Sequence, residues 1–126
     1  MTRLSKSEEQ LMEHLWRLEK AFLKDLIDAY PEPQPAPTTV ATLLKRITDK
    51  GFIGYKVFGN SREYHPLVKK SDYFSKEVNG MIRNNFNDSV LQFASFFTKA
   101  GNLTTDELKE LRKIIDKEIQ KKTKNK

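Results

Sequence analysis

Thr38, Thr39, Thr42, Lys45 and Arg46 lie close together in the chain, and their shared chemistry is hydrogen bonding to oxygen-rich, negatively charged surfaces. Threonine hydroxyls donate or accept at phosphates and base edges, their methyl groups suit the thymine methyl, and an arginine donates to guanine or phosphate. Lys56, Asn60, Ser61 and Arg62 then add two cations and two small polar groups around a turn. Catalytic chemistry has no comparable set. His14 and His65 are distant in sequence, and neither has a metal-ligand partner at a useful spacing. Glu8, Glu9 and Glu13 fit the first turn and solvent face of a helix, where its positive end favours acidic groups, better than an acid–base pair. The absence of cysteine excludes disulfides, thiolate metal sites and a cysteine nucleophile. There is no Gly-rich phosphate loop. These residues predict a protein that is not an enzyme and uses no cofactor or metal.

Two elements have to place the donors. Val40, Leu43, Leu44 and Ile47 share one face of a helix and leave Thr38, Thr39, Thr42, Lys45, Arg46 and Asp49 on the other. Pro37 suits its first position, where the missing N–H has no partner to lose, and Gly51 suits the position after its end. Ile53, Tyr55 and Val57 then alternate with Gly54 and Lys56, a Gly59-Asn60-Ser61 turn follows, and residues 62–65 return as a second strand. A helix bearing hydroxyls and cations, next to a hairpin with Lys56 and Arg62 near its tip, is how a winged-helix protein addresses double-stranded DNA.

The remaining pattern supplies the frame. Ser5 and Glu8 form a capping box that opens a helix over residues 6–17, with Leu11, Met12, Leu15, Trp16 and Leu18 as its apolar stripe. A second helix is expected over residues 21–29. Pro31, Pro33, Pro35 and Pro37 exclude helix from the connection and favour an extended path that offers the hairpin a short extra strand. From Lys70 onward the pattern is helical only, over residues 71–84, then 88–99, then a last helix opened by a Thr104–Glu107 capping box. The expected fold is mainly α with a small β-hairpin wing. It divides into a winged helix-turn-helix domain (residues 1–69), a helical dimerisation domain (70–122) and a basic tail (123–126) that is frayed and solvated. Three helices of this length cannot bury so many phenylalanines and aliphatics within one chain. A homodimer interface is therefore expected at Tyr73, Phe74, Met81, Ile82, Phe86, Leu91, Phe97, Leu108, Leu111 and Ile115.

Charge agrees with this division. The net charge of +6 is not spread evenly. Residues 37–69 carry six Lys or Arg against two acidic residues, while residues 1–36 are net acidic, so the helix and hairpin concentrate the positive charge. No run reaches the roughly 18 apolar residues of a membrane span, so no membrane insertion is expected. The N-terminal residues lack the apolar block of a signal peptide, which makes cytoplasmic residence the expectation.

The element order, the stretch Thr39-Val-Ala-Thr-Leu-Leu-Lys-Arg-Ile-Thr-Asp-Lys-Gly-Phe-Ile53, the hairpin ending Tyr64-His-Pro-Leu67, Ser89-Val-Leu-Gln-Phe-Ala94 and Leu103-Thr-Thr-Asp-Glu-Leu-Lys-Glu-Leu-Arg-Lys-Ile-Ile115 together resemble the BlaI/MecI/CopY family of penicillinase-type repressors. The likeness runs from about Leu4 to Ile119. It implies a homodimeric transcriptional repressor whose winged helices each bind half of a palindromic operator and whose helical C-terminal domains hold the dimer together. By position it places Thr38, Thr39, Thr42, Lys45 and Arg46 in the major groove, with Lys56, Asn60, Ser61 and Arg62 near backbone phosphate.

Two departures from the family pattern stand out. Ala41 occupies a position where the family commonly carries a basic or long polar residue, so base specificity is not carried over. In β-lactam-responsive members, induction involves proteolysis at an Asn-Phe bond, with a membrane sensor protease as partner; the matching place here reads Gln92-Phe93, which counts against antibiotic-linked cleavage. The copper-responsive branch uses a cysteine-rich motif that this chain lacks. The alternative from another class is a winged-helix protein-interaction module whose third helix docks on a protein, without specific DNA binding.

Overall fold

The computed structural model describes residues 3–125. Met1, Thr2 and Lys126, the outermost residues of the expected domain and tail ranges, lie outside the described residues. Helix α1 (Lys6–Leu18) begins at the expected capping box: the Glu8 amide donates to Ser5 Oγ at 3.2 Å and the Ser5 amide to Glu8 Oε1 at 2.7 Å. Its stripe buries Leu11, Met12 and Leu15 completely. Trp16 is partly buried, and its indole N–H donates to the Val68 carbonyl at 2.8 Å, so the ring fills the core margin without leaving its polar atom unpaired.

The second helix is shorter than its apolar pattern suggests. Ala21 and Phe22 form strand β1 (Ala21–Phe22), opposite Tyr64 and Glu63, and helix α2 (Leu23–Ala29) starts only afterwards. The Asp25 carboxylate accepts from the Phe22 amide at 2.9 Å and closes the helix start. The extra strand therefore comes from here and not from the proline segment. Prolines at every second residue remove all the amide donors along one edge of an extended chain, whereas Ala21 and Phe22 keep theirs.

Helix α3 (Pro37–Asp49) has Pro37 in its first turn and buries Val40, Leu44 and Ile47. It stops in a Schellman arrangement: the Gly51 amide donates to the Thr48 carbonyl and the Phe52 amide to the Ile47 carbonyl, with Gly51 at φ +85°. The motif reverses the chain and drops Phe52, fully buried, into the core. Strands β2 (Ile53–Phe58) and β3 (Ser61–Pro66) pair antiparallel, with Phe58 opposite Ser61. The loop is therefore just Gly59-Asn60, with Gly59 at φ +61°, and Ser61 belongs to the strand, not to the turn. The sheet order is β1-β3-β2.

Helix α4 (Lys70–Asn85) spans the boundary between two compact units, one reaching Ser75 and the other starting at Lys76. The units thus part inside this helix and not at its start, because its first turn belongs to the first core. Tyr73 is 3% exposed there, edge-on to Phe52, and its hydroxyl donates to a Glu9 carboxylate oxygen. Phe74 packs on the same cluster beside Trp16.

The second unit continues with α5 (Val90–Ala100), capped by Ser89, and α6 (Thr105–Lys124), opened by the expected Thr104–Glu107 capping box. Phe86 meets Phe93 and Phe96 edge-on, and Phe93 stacks on Phe97. No residue of α5 or α6 is buried. The basic segment expected to fray instead extends α6, with the Asn125 amide donating to the Lys121 carbonyl. No helix among the described residues is long and apolar enough to cross a membrane.

Candidate nucleic-acid interface

Burial of Val40, Leu44 and Ile47 rotates the opposite side of α3 outward, and Thr38, Thr39, Thr42, Lys45 and Arg46 are all exposed there, with Ala41 among them. Thr42 Oγ1 donates to the Thr38 carbonyl at 2.9 Å, which leaves its oxygen lone pairs facing outward as acceptors. Lys45 Nζ sits 3.2 Å from the Asp49 carboxylate, with the two side chains 79% and 65% exposed. An ion pair this open is worth less than about 1 kcal/mol and exchanges readily for a phosphate. The Arg46 guanidinium has no ion pair or hydrogen bond among the described residues, so its donors are uncommitted.

The helix is braced from behind. Lys50, its C-cap, donates to Glu8 Oε1 at 2.6 Å and to the Arg3 carbonyl at 3.1 Å. Glu8 is 2% exposed, so the capping carboxylate of α1 doubles as the buried anchor for the end of α3. Burial pushes the Glu8 carboxyl upward, but hydrogen bonds from Lys50 and Ser5 outweigh it, and the net displacement is below the ordinary value. The sequence pattern put Glu8, Glu9 and Glu13 on a solvent face. All three instead have partners: Lys50 for Glu8, Tyr73 for Glu9 and, at 2.9 Å, Lys70 for Glu13. Nothing local in the sequence signals these long-range pairings.

The hairpin divides the remaining donors between its two faces. Arg62 is opposite Val57 and Lys56 opposite Glu63, so Arg62 shares a face with Tyr55 and Tyr64 while Lys56 lies on the other. The Arg62 guanidinium lies 4.3 Å from the centre of the Tyr55 ring, and Tyr55 meets Tyr64 edge-on at 5.8 Å. A groove between α3 and this face is lined by Ala41, Lys45, Thr48, Asp49, Tyr55, Arg62 and Tyr64. The structure thus brings Arg62 to Lys45 and leaves Lys56 apart. Asn60 and Ser61 are exposed at the tip. The sequence pattern alone missed Tyr55, Thr48 and Tyr64. A two-residue loop at Gly59-Asn60 was the signal for the tyrosines, since it sets the register that stacks them beside Arg62.

Among the described residues no group of three His, Asp or Glu is placed to hold a metal ion. His14 lies edge-on to Tyr30 at 4.5 Å, and its Nε2 is buried without a hydrogen-bond partner among the described residues. Burial, helped by Arg17, lowers its pKa below the ordinary value of 6.5.

Of the residues expected at a subunit interface, Met81, Leu91, Phe97, Leu108 and Ile115 are exposed, Phe86 and Leu111 half-buried, and Ile82 is 7% exposed. Tyr73 is enclosed in the first unit's own core, with Phe74 packed beside it, and has no face left for a second protomer. Val78, Val90, Phe96, Ile114 and Ile119 are further exposed apolar residues that the expected set omits. Gln92 caps toward Asn87, its Oε1 accepting at 3.2 Å, and Phe93 is half-buried in the aromatic cluster.

Comparison with known proteins points the same way. The penicillinase repressor family profile matches residues 4–117. The methicillin resistance regulatory protein MecI of Staphylococcus aureus strain N315 is 30% identical over 119 residues, covering 90% of this chain and 94% of that protein, and MecI of Mammaliicoccus sciuri matches to the same extent. The penicillinase repressor of Bacillus licheniformis is 22% identical over 120 residues, covering 94% of each. The solution structure of the DNA-binding domain of the repressor BlaI superposes with a TM-score of 0.50 at 25% identity, covering 56% of this chain and 88% of that domain.

Proposed function

The chain belongs to the penicillinase repressor family, and we propose that it represses transcription as a cytoplasmic homodimer, each protomer placing α3 in the major groove at one half of a palindromic operator. The observation that carries this reading is the outer face of α3: Thr38, Thr39, Lys45 and Arg46 present donors and Thr42 an acceptor on a helix whose other face is fixed in the core, with a wing arginine across a shared groove. Arg46, with uncommitted donors, reads a base edge or a phosphate; Thr38, Thr39 and Lys45 hold the backbone, Thr42 accepts from a base-edge donor, and Asn60 and Ser61 meet phosphate at the wing tip. The relatives named for repression and resistance regulation, and the DNA-binding domain of BlaI, support the assignment. Dimerisation is supported by α5 and α6, which leave Leu91, Phe97, Leu108, Ile115 and Ile119 unburied in the protomer.

Fluorescence anisotropy on the DNA immediately upstream of the gene, against a scrambled duplex at two salt concentrations, tests the reading. Tighter binding to the upstream DNA, falling steeply with salt as phosphate contacts release counterions, is the expected result. Weak binding to both duplexes with little salt dependence would overturn it and favour protein docking.

A further inference from the structure

The groove between α3 and the hairpin holds a side chain with no donor role of its own in the reading above. Tyr55 lies on the hairpin face turned toward α3, diagonally across the ladder from Arg62, whose guanidinium sits 4.3 Å above the ring centre. Tyr64, directly opposite Tyr55, meets it edge-on, so the ring is held on one side by a partner that is itself half-buried. An arginine near a hairpin tip otherwise samples many rotamers, and each one lost on binding weakens the complex. A cation over a ring face is held by the ring's quadrupole and spends no hydrogen bond on it. Its N–H groups stay available to an oxygen anion in the groove, which Lys45 also lines.

We propose that Tyr55 is a positioning residue for DNA binding: it holds Arg62 over its ring so that Arg62 and Lys45 present cationic donors to the same stretch of DNA backbone from opposite walls of the groove. Asp49 lines the same groove and holds Lys45 at 3.2 Å in the free protein, so the incoming phosphate replaces that carboxylate. Lys56, on the far face opposite Glu63, takes no part. This inference rests on the DNA-binding reading above and adds to it a residue with no charge of its own.

The test is a double-mutant cycle on the full chain, with a duplex that the wild-type protein enriches from a random-sequence pool. Tyr55→Leu is expected to weaken binding by about threefold to tenfold, the range of a partly exposed cation–π contact, and Tyr55→Phe by less than about twofold because the ring face is kept. Arg62→Ala should weaken binding at least as much, and adding Tyr55→Leu to it should cost nothing further, since a positioning residue has nothing left to position. A thermal melt of Tyr55→Phe and Tyr55→Leu separates lost folding from lost positioning, and the Phe variant keeps the test valid if the Leu variant melts early. Wild-type affinity in Tyr55→Leu, weak binding in Tyr55→Phe, or additive losses in the double variant would overturn the proposal while Arg62→Ala still weakened binding. If Arg62→Ala, Lys45→Ala and Arg46→Ala were all silent, or no duplex were enriched, the DNA-binding reading itself would fall and the positioning role with it.

Discussion

The first unit closes on itself and the second does not. From Leu4 to Tyr73 the chain buries Leu11, Met12, Leu15, Leu26, Val40, Ile47 and Phe52 completely, in one contiguous cluster. From Lys76 onward Ile82 is the one buried hydrophobic residue among the described ones, and α5 and α6 have none, although α5 is the most apolar helix by composition. The helical periodicity is equally clear in both. Amphipathic patterning thus tells which side of a helix avoids water but not whose surface covers it. Where α1, α2, α3 and the sheet surround a common centre, the apolar faces meet within one protomer; on α5 and α6 the same kind of face stays exposed, and it is this face that the proposed dimer would cover.

The sharpest contrast comes from matched truncations. Phe52→Ala, in the fully packed centre, should cost about 3 to 5 kcal/mol in urea unfolding of the first unit. Ile119→Ala, on a side chain 57% exposed, should cost less than about 0.5 kcal/mol in protein dilute enough to be monomeric. Similar costs at the two sites would show that the second unit has a core of its own. In the proposed dimer a charge on the α6 stripe should act instead through assembly. Ile115→Asp is expected to raise the dimer dissociation constant by about a hundredfold, measured by sedimentation over a concentration series, without lowering the first unit's melting temperature. A dimer of unchanged strength would remove α6 from the interface.

What could be read from sequence follows the same divide. The α3 helix and hairpin were legible because their signals are local: Pro37 at the start, the Gly51 reversal, and Ile53, Tyr55 and Val57 alternating toward a glycine turn. The end of α1 and the start of α2 were not, because Ala21 and Phe22 are good helix neighbours whose strand geometry is decided by pairing with Tyr64 and Glu63, more than forty residues away. Tyr73 shows a third case. Its spacing on α4 suits an interface stripe, and only the three-dimensional position of Glu9, Trp16 and Phe52 assigns it to the protomer core. The donors on α3 were identified one by one, whereas the split of Lys56 from Arg62 depended on register, which a turn one residue longer would have reversed.

Within the first unit, the Glu8–Lys50 anchor predicts a dependence of stability on pH. In the wild type the Glu8 pKa is depressed, so its contribution is present above the ordinary carboxylate value of 4.5 and is lost as pH falls through the folded value. Lys50→Ala leaves a buried carboxylate with only Ser5 to serve it, at a cost of about 1 to 3 kcal/mol near neutral pH. The hydrogen bond and the charge of Lys50 are then gone while burial still pushes the carboxyl up, so the depression shrinks and less stability should be lost toward acid pH than in the wild type. Urea unfolding between neutral and acid pH reads this directly, and unchanged pH dependence in the variant would remove Glu8 as the cause. His14 acts earlier in the titration. Its folded pKa is depressed by burial, so stability is full above 6.5 and declines as pH falls below it while the unfolded chain takes up the proton first. His14→Leu should flatten that segment and leave the Glu8 segment in place.

The smallest expected effect separates the two faces of the hairpin. Lys56 and Arg62 are alike in charge and both close to the tip, so a purely electrostatic view of the wing makes them equivalent. The register says otherwise: Lys56 stands opposite Glu63, where a cross-strand carboxylate offsets its field, and Arg62 stands over Tyr55 in the α3 groove. Arg62→Ala should therefore reduce the salt dependence of DNA binding by about one phosphate contact, while Lys56→Ala should change affinity by less than about 0.5 kcal/mol for any duplex. Glu63→Gln supplies the converse, since removing the offsetting carboxylate should strengthen binding slightly and equally for all sequences. Anisotropy titrations of the three variants over a salt series decide it. If Lys56→Ala and Arg62→Ala reduce the slope alike, the wing meets DNA through its tip as a whole, and the face that register assigns to each cation has no bearing on recognition.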